Sequence, residues 1–294
     1  MRRKSWTIKE LLLVTTDYLK KKDIDSPRLT SEILLAHQLD IDRVTLYLNF
    51  DQPLTEKELS GYRTLIKRRI KREPLQYITE TQEFWSLDFV VNPQVLIPRP
   101  ETELLVELTI KLLKDLPILE NHTPNILDLG TGCGPIAVSL AKEARKTIIW
   151  ATDISTEALK LAHLNAKRHG VTDKIRFIHG NLWEPLIDLG VTFDIVLSNP
   201  PYIAPKEFNN LSPEVRDYEP RLALDGREGG MHFIEKIISE APTFMNPGAW
   251  IILEMAPGQT EKALKLIDKI KGYSEKSRVM DYSHLYRVVM AKKT

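Results

Sequence analysis

"ILDLGTGCGP", residues 126 to 135, runs a short apolar segment into Gly130, Gly132 and Gly134. A helical pattern follows at once, so the stretch reads as strand, tight loop and helix. Glycines in such a loop permit positive φ angles and let backbone amides approach a ligand, and the helix after it offers its N-terminal N–H groups. The chemistry is that of a nucleotide-type site. Its G-x-G-x-G spacing differs from the dinucleotide pattern G-x-G-x-x-G, whose third glycine would fall on Pro135. Asp128 reads as a turn-capping residue and Cys133 as a small loop filler, with no base nearby in sequence to activate its thiol.

Outward from this loop, helical patterns such as "ETELLVELTIKLLKDL" alternate with the apolar runs "NILDLG", "TIIWATD", "IRFIHG", "FDIVLSNP" and "AWIILEM". That alternation implies α/β architecture: a mostly parallel sheet with helices on both faces. The second run ends at Asp153, roughly twenty residues past the glycines, where a carboxylate can hydrogen-bond both hydroxyls of an adenosine ribose. The fourth run delivers Asn199 to the carboxyl edge of the sheet, so "NPPY", residues 199 to 202, faces the same crevice as the glycine loop.

The groups in "NPPY" suit one kind of acceptor. An amide or exocyclic amino nitrogen has its lone pair delocalised into a π system and is a poor nucleophile. The Asn199 side-chain oxygen and the Pro200 carbonyl can accept the two hydrogens of a planar –NH₂, while Tyr202 packs on its plane and Pro201 stiffens the backbone between them.

The rest of the chain differs in texture. From Ile8 to about Arg72 apolar residues recur at helical spacing. Ser26 or Asp25 is expected to cap a helix whose first turn holds Pro27, and Thr55 with Glu58 has capping-box spacing for a helix running on toward Pro74. That helix carries Lys67, Arg68, Arg69, Lys71 and Arg72, which read as a solvated face because no aromatic residues interleave them for base stacking. "LDFVVNPQVLIP" then reads as strand and turn. The sequence therefore divides into residues 1–75, a helical domain; 76–100, an inter-domain segment with short strands; and 101–294, a catalytic domain.

Composition is ordinary for globular protein, with 43% hydrophobic and 28% charged residues in 294. The net charge of +1 conceals a basic first 75 residues, 16 Lys+Arg against 11 Asp+Glu, and an acidic remainder, 25 against 29. One cysteine cannot form an intramolecular disulfide, no apolar stretch approaches membrane-spanning length, and the start lacks a signal-peptide core, so a cytoplasmic protein is expected.

The motif of Asp128, Gly130, Gly132 and Gly134 resembles the D-x-G-x-G-x-G of class I S-adenosylmethionine-dependent methyltransferases, and "NPPY" resembles their amino-group acceptor motif. "LIPRPETE", Leu96 to Glu103, together with "LDLGTGCG" and "SNPPYI", resembles the PrmC/HemK family of protein-(glutamine-N5) methyltransferases. That resemblance implies a Rossmann-like, mostly parallel seven-stranded sheet behind a small all-α helical bundle. It implies S-adenosylmethionine as methyl donor, S-adenosylhomocysteine as product, and as acceptor the glutamine of the Gly-Gly-Gln loop in class 1 peptide-chain release factors. Cofactor contacts would come from Gly130, Thr131, Gly132, Cys133, Gly134, Asp153 and Asn199. Asn181 and Trp183, in "GNLW" where the family commonly has "GDLF", would bind the adenine amino group and wall the site. Asn199, Pro200, Pro201 and Tyr202 would hold the acceptor, with Asn199, Pro200 and Tyr202 catalytic. A monomer whose helical domain engages the release factor is also implied.

No metal is expected, because the sulfonium already activates the methyl group and the seven histidines form no H-E-x-x-H pattern. Arg99, Glu101 and Thr102 read as part of a flap over the site. Glu80 and His284 stand where the family carries glycine. Two other readings remain open at this point: a nucleic-acid amino-methyltransferase, which would want a base-recognition domain, and a non-catalytic module binding cofactor or release factor.

Overall fold

The computed structural model describes residues 6–115, 123–144 and 146–294. The chain forms two compact units, Met1–Glu80 with Ser212–Tyr218, and Thr81–Leu211 with Glu219–Thr294.

The first unit is helical: α1 (Ile8–Lys20), α2 (Pro27–Leu39), α3 (Arg43–Leu48), α4 (Glu56–Arg69) and α5 (Leu75–Thr79). Residues 76–79, placed by sequence in the inter-domain segment, belong to α5. Capping boxes close α1 through Thr7 and Glu10 and α4 through Thr55 and Glu58. Ser26 stands before α2 but in the left-handed region, at φ 45°, and its side chain makes no capping bond, so Pro27 alone sets that start. Ile8, Leu19, Leu34, Leu35, Leu46, Tyr62 and Ile66 pack as this unit's core.

α4 stops at Arg69, ahead of Pro74, because Arg72 turns left-handed at φ 71° and the residue before a proline disfavours helix. Its basic cluster is the solvated face read from sequence only in part: Lys67 and Lys71 are exposed, whereas the three arginines are engaged. Arg68 forms a two-pronged bond with Glu73, and buried Arg69 and half-buried Arg72 both reach Glu214.

The second unit opens with an antiparallel hairpin, β1 (Thr81–Phe84) and β2 (Leu87–Val90), then α6 (Glu103–Asp115). There follow β3 (Asn125–Leu129), α7 (Pro135–Glu143), β4 (Ile148–Asp153), α8 (Thr156–Arg168), β5 (Ile175–His179) and β6 (Phe193–Ser198). After β6 the chain makes α9 (Pro213–Tyr218) in the first unit. It returns through α10 (Arg221–Leu224), α11 (His232–Phe244), β7 (Met245–Glu254), α12 (Thr260–Lys269), β8 (Tyr273–Met280) and β9 (Tyr286–Lys293).

Seven strands form one sheet in the order β5-β4-β3-β6-β7-β9-β8, with β9 antiparallel to both neighbours and β5, β4, β3, β6 and β7 parallel. All six residues of β6 are buried, as expected of a parallel strand covered on both faces. Ile126, Ile136, Leu140, Ile149 and Ile195 belong to one apolar cluster, and Leu127, Val196, Ile234, Ile238 and Ile251 to another. The order reverses between β3 and β6, and a ligand crevice in such sheets opens at the carboxyl ends where the order switches.

Glu80 and His284 keep the backbone that glycine would take, at φ 58° and φ 60°, and both are exposed. An L side chain there costs on the order of 1–2 kcal/mol. Glu80→Gly and His284→Gly are each expected to raise stability in urea unfolding by about 0.5–1 kcal/mol, less than the strain because glycine gains unfolded-state freedom.

Candidate active site

Register brings the motif residues together. Leu129 of β3 pairs with Thr152 of β4 on one side and Ser198 of β6 on the other, so Gly130, Asp153 and Asn199 leave three adjacent strands at one edge. Ser198 also pairs with Leu253, which puts Glu254 at the next strand end.

The glycine loop is held by backbone bonds. The amides of Gly130 and Thr131 both donate to the Thr152 carbonyl, and the Gly132 amide donates to Asp153 Oδ2 at 2.8 Å. Gly130 and Gly132 take φ of 75° and 58°, and a Cβ on either would meet nothing within 4 Å, so the loop leaves open space above it. Asp153 Oδ1 accepts the Ser155 amide. Burial raises the Asp153 carboxyl above its ordinary range, against the pull of those two amides.

That space is a cavity of about 310 Å³, lined by Gly130, Gly132, Asp153, Asn181, Asn199 and Pro201 among the residues singled out from sequence. The volume is at the lower end of small-molecule sites, roughly 300–1,000 Å³. Asn181 Nδ2 donates to Glu184, which leaves its carbonyl oxygen as the free acceptor. Ile154, Leu182 and Phe233 add apolar wall, and Arg227 and His232 add polar groups.

Other expected contacts face elsewhere. Trp183 is not a wall of the cavity: it is 1% exposed and stacks on Phe244 at 4.7 Å and 9°, buried in the core, while its neighbour Leu182 takes the lining position. Thr131 turns its hydroxyl down onto Asp128 Oδ2 at 2.7 Å. Cys133 is buried, its carbonyl bound by Asn165 Nδ2, and burial pushes its thiol up to about 12, which suits filler rather than nucleophile. Gly134 lies behind the lining as the N-cap of α7. Pro200 is buried. Tyr202 does not line the cavity; its ring packs on the core and its hydroxyl points at Glu254 Oε1, 3.4 Å away.

The flap reading of "IPRPETE" also changes. Thr102 is buried and donates to Glu254 Oε2 at 2.7 Å, while Arg99 pairs with buried Glu219, which also accepts the Ile97 amide. These residues are fastened into the unit because each finds a buried carboxylate.

Sequence reading missed the segment behind "NPPY". A Cβ on Gly226 would come within 2.7 Å of Tyr202 Cα, and one on Gly230 within 2.3 Å of the Tyr202 carbonyl oxygen. Gln259 ties the same place, donating to the carbonyls of Tyr202 and Gly230. The signal was the glycine-rich "DGREGG", residues 225 to 230.

Asp128, fully buried beneath the loop, is raised from 3.8 to about 7, by burial first and by the neighbouring Asp153 charge, although the Thr131 hydroxyl pulls the other way. Between those values the folded protein holds a proton that the unfolded chain has released. This carboxyl's contribution to stability therefore falls as pH rises from 3.8 to about 7 and is level above. Urea unfolding at several pH values should show Asp128→Asn gaining on the unsubstituted protein across that window; parallel profiles would contradict it.

Residues 10–79 match the PrmC N-terminal domain family and residues 107–214 the methyltransferase small domain family. The chain is 44% identical over 284 residues to the release factor glutamine methyltransferase of Geobacter sulfurreducens, covering 97% of this chain and 96% of that one. It is 38% identical to the Chlorobaculum tepidum protein of the same name, again over 97% and 96%. Among solved structures, the catalytic domain of hMettl16 aligns over 76% of this chain and 81% of that one, at 16% identity and a TM-score of 0.57, a likeness that bears on fold alone.

Proposed function

The chain belongs to the release factor glutamine methyltransferase family, and we propose that it methylates the side-chain nitrogen of the glutamine in the Gly-Gly-Gln loop of class 1 release factors. The observation that carries this reading is the placement of Asn199 beside the glycine loop on adjacent strand ends.

The cavity fits S-adenosylmethionine. Glycine positions that leave open space, a carboxylate at the end of β4 and an amide oxygen at Asn181 form the donor and acceptor set that a nucleoside needs. Gly130 and Gly132 would lie against it, Asp153 would accept from the ribose hydroxyls, Asn181 would accept from the adenine amino group, and Ile154 and Leu182 would supply apolar contact. When bound, it supplies a methyl group already activated by a positive sulfur.

The chain's own task is to present the acceptor. Asn199 Nδ2 is committed to Thr102 Oγ1 at 3.0 Å, so Oδ1 is left to accept one amide hydrogen, with the Pro200 carbonyl for the other. Two acceptors fix the amide plane and turn the nitrogen lone pair toward the methyl donor, and such positioning is a large part of what enzymes contribute to a two-reactant step. Bulk solvent then takes the proton released by the methylated nitrogen. Tyr202, whose ring is held by core packing and Glu254 outside the cavity lining, would support from behind the backbone that carries these acceptors.

We assign the helical unit to release-factor binding, within a cytoplasmic monomer. A nucleic-acid substrate has less support, because Arg68, Arg69 and Arg72 are engaged by Glu73 and Glu214.

Labelled methyl transfer tests the function. An unmodified release factor should take label at its loop glutamine, a Gln→Ala loop variant should not, and DNA and RNA should remain unlabelled. Asn199→Ala should lower turnover by roughly 100-fold or more while the fold is kept, as expected when an acceptor-positioning contact is lost. Label on nucleic acid, or unchanged turnover in Asn199→Ala, would overturn the assignment.

A further inference from the structure

Four side chains from three parts of the second unit form a one-way hydrogen-bond relay. Glu254, at the end of β7, is 1% exposed and receives Thr102 Oγ1–H on Oε2 at 2.7 Å and the Tyr202 hydroxyl on Oε1 at 3.4 Å. Thr102 Oγ1 in turn accepts Asn199 Nδ2–H at 3.0 Å. A threonine hydroxyl has a single hydrogen, and an ionised carboxylate can only accept. Once Thr102 donates to Glu254, only a lone pair faces Asn199.

We propose that Thr102 and Glu254 are positioning residues that fix which way the Asn199 amide faces. The inference rests on the acceptor-binding role given to Asn199 above. An asparagine amide is nearly symmetric in shape, and a half-turn would exchange Oδ1 for Nδ2. Facing the acceptor with Nδ2 would set donor against donor and expel the substrate amide. The relay forbids that half-turn without touching the substrate, and it explains why Thr102 is 3% exposed rather than part of a mobile flap.

The relay has a titratable end. The charged and titratable groups facing Glu254 are Glu101, Tyr202 and Arg287, whose guanidinium is bound by Asp281 at 2.8 Å. Burial first, and Glu101 with it, raise the Glu254 carboxyl from 4.5 to about 7, against the opposing effects of Thr102, Arg287 and Tyr202. A protonated Glu254 can donate to Thr102, which frees the threonine hydrogen to point at Asn199 and favours the turned amide.

Three variants and one spectrum test this. Thr102→Val keeps shape and removes the hydroxyl; its kcat should fall roughly 100-fold, the scale of a misplaced reacting group, with cofactor affinity and circular dichroism unchanged. Thr102→Ser restores the hydroxyl and should restore kcat. In the unsubstituted enzyme kcat should fall as pH drops below about 7, the carboxyl's raised value, and Glu254→Gln should lack that acid limb. Unchanged kcat in Thr102→Val, or an acid limb retained by Glu254→Gln, would overturn the proposal. A readout independent of the substrate is the Asn199 side-chain amide signal in ¹⁵N NMR of the free protein, identified by its loss in Asn199→Ala. Its hydrogens should be protected from exchange in the unsubstituted protein and unprotected in Thr102→Val; equal exchange in both would overturn the relay. Should the release factor take no methyl from any enzyme form, the proposed function fails, and this spectrum still decides the relay.

Discussion

The register of four parallel strands governs this molecule. Leu129, Thr152, Ser198 and Leu253 lie in step across β3, β4, β6 and β7, so the four residues that follow stand together at the carboxyl edge of the sheet. A one-residue slip of any strand would turn every one of its side chains to the opposite face. Since these strands are buried on both sides, such a slip would misplace large apolar side chains and is strongly opposed. The positions of Asp153, Gly130, Asn199 and Glu254 relative to one another are thus held by the core, and the loops have only to finish the geometry.

Finishing it requires buried polar groups, which are costly unless satisfied. Asp128, Asp153, Glu219 and Glu254 all lie under or beside the site, and burial raises the carboxyl of each. Each is used as an acceptor for a neighbour that must not move: a threonine hydroxyl, a loop amide, the Arg99 guanidinium, the Thr102 relay. The groups that position the site are themselves held by buried carboxylates. Gln259 and the glycines at 226 and 230 extend the same principle behind "NPPY", fixing the backbone that carries the acceptor groups.

Much of this was legible in the sequence. The glycine loop, the acidic end of the second strand and the "NPPY" tetrapeptide are local patterns with a direct backbone meaning, and the α/β alternation follows from residue periodicity. What was not legible depends on partners far away in the chain. Trp183 could be placed next to a site residue, but only packing shows that it turns to Phe244, which is 61 positions further on (244 against 183). Thr102 looked like an exposed loop residue because nothing local announces Glu254. Arg69 and Arg72 looked solvated because Glu214 arrives from a segment beyond the site loop. Glu80 and His284 show the converse: a local backbone demand persists although the residue best suited to it is absent.

The central claim is that one amide oxygen and one carbonyl, on the strand end beside the glycine loop, hold the acceptor nitrogen. A crystal structure of the protein with S-adenosylhomocysteine and a peptide bearing Gly-Gly-Gln would test it most directly. The account predicts the glutamine amide between Asn199 Oδ1 and the Pro200 carbonyl, each within hydrogen-bond distance, with its nitrogen facing the sulfur above Gly130 and Gly132. A glutamine bound elsewhere, or one meeting Asn199 through Nδ2, would contradict it.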